Sequence, residues 1–119
     1  MELEQKNRLM AAGIDVEDAL KRMMGSEKLL LRLLKKFLAD QNYKQWVQAM
    51  ETQNREKAID AAHALKGICG NLSMTELYLL FSKQVDDLRA DRWEKAEAQR
   101  SYIGTVYERV RNAIMELEA

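Results

Sequence analysis

The chain carries one histidine, His63, in the segment AIDAAHALKGICGNL that runs from Ala58 to Leu72, and Lys66, Gly67 and Gly70 follow it closely. A neutral imidazole presents an unprotonated ring nitrogen that acts as a nucleophile near neutral pH. On a helix, a lysine three residues further on is its neighbour one turn away, where the ammonium can neutralise an anion transferred to that nitrogen. The pairing suits a phosphoryl group. Each glycine inside a helix costs about 1 kcal/mol relative to alanine, so a helix that accepts two either ends there or lets something approach closely.

An α-helix advances about 100° per residue, which sorts the segment into two faces. With Ile59 at zero, Ala58, Ala61, Ala62, Leu65, Cys69 and Leu72 cluster near roughly 240°, and Ile59, His63, Lys66, Gly67 and Gly70 near roughly 30°. His63 is therefore expected to point away from the core, beside one cation and two residues without side chains.

The rest of the sequence supplies helices to position this face. Prolines are absent, and Leu, Ala, Met, Glu, Lys, Arg and Gln are abundant, so an all-α fold is expected. Asp15 is placed to cap a first helix through Val16, Ala19, Leu20, Met23 and Met24, with Gly25 to end it. Ser26 offers the next cap, for a long helix carrying Leu29, Leu30, Leu33, Leu34, Phe37 and Leu38 and later Trp46, Val47 and Met50, which the polar interval ADQNYKQ bends. Asn54 caps the helix of His63. A fourth helix carries Leu77, Leu80, Phe81, Val85 and Leu88, and a fifth carries Trp93, Ala96, Ile103, Tyr107, Val110, Ile114 and Leu117. Short polar links make these four long helices antiparallel neighbours, with the shorter first helix as a lid on one end. The fold class expected is an antiparallel up-down-up-down four-helix bundle with a short additional N-terminal helix. Residues 1–12 form an N-terminal extension and 13–119 one domain, as befits 119 residues.

Composition narrows the function. Nineteen basic residues balance 19 acidic ones, so no overall field draws the protein to nucleic acid. No apolar run approaches the roughly 20 residues that span a bilayer, and MELEQKNRLMAAG lacks a signal peptide's apolar stretch. No membrane insertion and a cytoplasmic location are expected. A lone cysteine, Cys69, forms no internal disulfide and reads as a packed small side chain. Asp60 and His63 have the carboxylate-x-x-His spacing of di-iron bundles, but such sites need a second element of that kind, and one histidine cannot provide it. No metal and no bound cofactor are expected.

At His63 the residues become recognisable: AAHALKGICGNL resembles the signature of histidine phosphotransfer (HPt) domains, H-x-L-K-G followed by small residues. His63 matches the phosphorylated histidine, Leu65 the buried aliphatic residue, Lys66 the phosphate-proximal base and Gly67 the small contact residue, with Asn71 and Leu72 at the helix end. GIDVEDALKRMMG resembles the family's opening and LLRLLKKFLAD its second helix, so only the first dozen residues lie outside the likeness. Ser73 departs from it, standing where the family commonly has glycine.

The resemblance implies a phosphorelay intermediate in two-component signalling, with no ATP-dependent kinase activity of its own. His63 would accept a phosphoryl group from the aspartate of one receiver domain and pass it to another, with Lys66 offsetting the charge. Gly67 and Gly70 would admit the receiver's loops, and Ile59 would add a greasy docking patch. A neighbour on the next helix, one of Ser82, Lys83 and Gln84, would orient the imidazole. Magnesium would belong to the receiver. The partners implied are response-regulator receiver domains, with a hybrid sensor histidine kinase as a further candidate, and the chain would be a monomer. Two other readings stand beside this one. A non-catalytic helical adaptor would bind a receiver or other signalling protein without carrying phosphate, and a histidine kinase dimerisation domain would need an ATP-binding domain that no segment here can form.

Overall fold

Helix starts are held by the side chains expected to cap them. Asp15 Oδ1 accepts the Asp18 amide at 3.0 Å, Ser26 Oγ the Leu29 amide at 3.1 Å, and Asn54 Oδ1 the Lys57 amide at 3.1 Å. Each cap satisfies a backbone donor that the first helical turn leaves without a partner. The computed structural model describes residues 1–118, and these are all-α. In order they form α1 (Leu3–Ala11), α2 (Val16–Arg22), α3 (Glu27–Ala39), α4 (Asn42–Glu51), α5 (Arg55–Asn71), α6 (Thr75–Arg89), α7 (Trp93–Met115) and a 3-10 turn, Glu116–Glu118.

Three elements differ from the sequence expectation. The N-terminal extension is helical: α1 begins with a Glu2–Gln5 capping box, and Leu9 and Ala12 are buried in the common core. The long helix expected from Ser26 to Met50 is broken outright and not merely bent. Asp40 is extended (φ −69°, ψ 133°) and its Oδ1 accepts the Asn42 amide at 2.8 Å, so a local side-chain bond replaces the helical one and restarts the chain as α4. The first predicted helix also ends earlier than Gly25, at Arg22, with Met24 taking the left-handed conformation.

Helix α5 packs between α4 and α6, α6 against α7, and α7 also against α3 and α1. The apolar stripes meet in one core in which Trp46 meets Phe81 edge-on at 5.3 Å and Tyr43 stacks on Tyr107 at 3.6 Å between ring centroids. Gly104 gives the Tyr43 ring its seat on α7, since a Cβ there would lie 3.3 Å from the phenol oxygen. At the other end of the fold, Arg55 donates to the carbonyls of Leu88 (2.8 Å) and Arg89 (2.9 Å), so the start of α5 closes the end of α6.

An isolated antiparallel bridge pairs Ile14 with Met74. Within it Asp15 N donates to Ser73 O at 2.9 Å and Thr75 N to Gly13 O at 3.2 Å. The loop before α2 is thereby fixed to the loop after α5, and α2 lies beside the end of the histidine helix.

Candidate functional site

The face sorting of α5 holds except at Ile59, which packs against the core. Ala58, Ala61, Ala62, Leu65, Cys69 and Leu72 are buried, whereas His63 and Gly67 are exposed and Lys66 and Gly70 are half-buried. His63, Lys66, Gly67 and Gly70 line one open groove of about 540 Å³. The imidazole has no hydrogen-bond or ion-pair partner among the described residues, so both ring nitrogens remain accessible.

The two glycines do different things. A Cβ on Gly67 would meet nothing within 4 Å, so the backbone there faces open space beside His63. A Cβ on Gly70 would lie 3.1 Å from Cδ1 of Tyr78, because that ring, projecting from α6, covers the glycine. Gly67 thus borders open space, whereas Gly70 is packed under a ring.

The opposite wall of the groove comes from α2, the turn after α5 and the first turn of α6, which sequence reasoning did not connect to His63. Asp18, Arg22, Ser73, Thr75 and Tyr78 line it. Ser73 Oγ donates to Asp18 Oδ2 at 2.6 Å, and Arg22 Nε donates to the same oxygen at 3.0 Å. The Ser73 hydrogen bond, followed by that of Arg22, holds the Asp18 carboxyl below its ordinary range. Ser73 itself is left-handed (φ 54°), the conformation for which glycine is usual. Its amide bonds Gly70 O at 3.2 Å and the Met74 amide bonds Cys69 O at 2.9 Å, the paired bonds of a helix-ending turn. A serine thus makes the turn that a glycine ordinarily makes, and spends its hydroxyl on α2. The i, i+4 spacing of Asp18 and Arg22 is readable in the sequence, but the contact that brings them to His63 is not.

Other expected site residues lie elsewhere. Ile59 is half-buried against the core and does not line the groove. Ser82 donates to the Tyr78 carbonyl at 2.7 Å and Lys83 pairs with Asp87 at 3.4 Å. Gln84 is withdrawn from the site: it is fully buried against α7 and donates to Ala96 O at 2.8 Å, so its amide is spent on the core. None of the three bonds the imidazole. Asp60 lines a separate polar groove between α4 and α5. Among the described residues no three His, Cys, Asp or Glu side chains gather where they could hold a metal ion, and no helix is long and apolar enough to cross a membrane.

Chemically, the groove presents one accessible nucleophile, two cations (Lys66 and Arg22) and one carboxylate (Asp18), an excess of positive charge suited to an anion. Cys69, the other potential nucleophile, is buried and its thiol is pushed up to about 12 by desolvation, so it stays protonated and inert. No protein-family model, curated protein or solved structure matches the chain.

Proposed function

We propose that the chain is a histidine phosphotransfer domain that relays phosphoryl groups between receiver domains in cytoplasmic two-component signalling. On this reading α3 with α4, then α5, α6 and α7 make an antiparallel up-down-up-down four-helix bundle, and α1 and α2 are additional N-terminal helices of a monomer. The observation that carries it is the exposed His63 imidazole near the middle of the 17-residue α5, flanked by Lys66 and by the open backbone at Gly67.

In the proposed reaction a lone pair on a His63 ring nitrogen attacks the phosphorus of a receiver's aspartyl phosphate in line. The P–N bond forms as the P–O bond breaks, and its electron pair returns to the aspartate carboxylate. The reverse step delivers the group to a second receiver. Lys66 offsets charge on the phosphoryl oxygens, and magnesium is held by the receiver. ATP plays no part on this chain.

Incubation with a panel of phosphorylated receivers tests the reading. The protein should gain an acid-labile, base-stable phosphate that His63→Gln abolishes with the fold intact. Lys66→Ala should slow transfer with the fold intact. Binding of receivers with no phosphate gained by His63 would favour the adaptor reading instead.

A further inference from the structure

Arg22 stands in the groove with more hydrogen-bonding capacity than it uses. Its Nε donates to Asp18, while neither terminal amino group has a hydrogen-bond or ion-pair partner among the described residues. A guanidinium carries five N–H donors in a planar fork that matches phosphoryl oxygens. The Arg22 and Asp18 side chains are 53% and 46% exposed, so their pairing adds little to folding stability. What the pair does is fix where the open side of the fork lies.

That location is set by the backbone and not by a mobile loop. The bridge between Ile14 and Met74 and the Ser73–Asp18 hydrogen bond tie α2 to the end of the histidine helix. Charge points the same way. A phosphoryl group on an imidazole carries up to two negative charges, Lys66 supplies one cation, and Arg22 is the other cation lining the groove.

We propose that Arg22 is a second phosphate-binding cation, aimed by Asp18, whose free amino groups engage the phosphoryl group carried by His63. The inference rests on the phosphotransfer reading and adds to it a binding residue from α2. No bond is made or broken at Arg22: its terminal N–H groups donate to phosphoryl oxygens while Nε stays on Asp18.

Phosphoramidate, a small donor that needs no receiver, provides the test, with ³¹P NMR following the second ionisation of the phosphohistidine as pH is varied. Arg22→Gln should raise the midpoint by about half a pH unit, the effect of one charge a few ångströms away in a water-like medium. Arg22→Lys should restore most of the shift. Asp18→Asn, which removes the carboxylate facing Arg22, should move the midpoint the opposite way, a pattern that a purely structural role would not produce. A parent protein that acquires no phosphohistidine overturns the phosphotransfer reading itself. A phosphorylated parent whose midpoint is unmoved by both Arg22→Gln and Asp18→Asn overturns the role of Arg22 alone.

Discussion

The Ser73 hydroxyl donates a 2.6 Å hydrogen bond to the Asp18 carboxylate across 55 residues of sequence, and so joins the left-handed turn after α5 to the first turn of α2. Ser73→Ala removes the hydroxyl and keeps the backbone cost of that turn, whereas Ser73→Gly removes the hydroxyl and relieves the cost. The alanine variant should therefore be less stable than the glycine variant by about 1 kcal/mol in urea unfolding. Equal stability would mean that the turn imposes no strain.

Gly67 and Gly70 should answer differently to the same change. Gly67→Ala adds a methyl group that meets nothing, and should raise stability by up to about 1 kcal/mol through helix propensity alone. Gly70→Ala presses on the Tyr78 ring at 3.1 Å and should gain less, with the deficit removed when Tyr78→Ala is added. Thermal melts of these three variants and of Tyr78→Ala alone settle it. Gly67→Gln should likewise hold or raise stability while slowing phosphotransfer, since its side chain fills the space a receiver needs. Transfer at the parent rate would mean that the partner approaches from elsewhere.

How much of this was legible in the chain depends on the range of the forces involved. The caps Asp15, Ser26 and Asn54 and the outward face of α5 follow from periodicity and from side chains bonding within their own turn, so they were readable. The helix break at Asp40 is also local, but an Asp that bonds the amide two residues on resembles any polar surface residue until its ψ is known. Residues 3–11 were passed over because LEQKNRLMA offers only Leu9 as a fully buried anchor. Arg22 and Asp18 reach the groove through contacts between distant segments, and Gln84 is polar yet buried against α7; neither fact leaves a trace in spacing.

Acid should weaken the fold through Asp87. Its side chain is 3% exposed; burial pushes the carboxyl up, but the hydrogen bond from Arg92 (2.9 Å) and the charges of Arg92 and of Lys83 (3.4 Å) outweigh this and leave it below the usual carboxylate range. A carboxyl depressed in the folded state lends stability that is full above its unfolded value and is lost as pH falls through the folded one. Melting temperature should therefore fall as pH drops below about 4. Asp87→Asn should flatten that acid limb and cost roughly 1–3 kcal/mol at neutral pH. Parallel acid limbs in the two proteins would place the dependence on other carboxyls.

Cys69 should report on unfolding. It is fully buried and its thiol is pushed up to about 12, so a thiol-specific disulfide reagent at pH 8 should react only through opened molecules. Its labelling rate should fall as the fold is stabilised, for example by Gly67→Ala, and rise with destabilisation. A rate indifferent to stability would reveal a local route to the sulfur.

The bridge between Ile14 and Met74 also bears on how portable the site is. Grafting α5 onto another helical scaffold would carry over the imidazole, Lys66 and the bare backbone at Gly67, and leave behind the wall that faces them. The smallest transplantable unit is discontinuous: residues 13–22 together with α5 and the turn through Thr75, joined in space by two main-chain hydrogen bonds and one serine hydroxyl. A recipient would have to reproduce that clasp before it could inherit the charge pattern around the histidine.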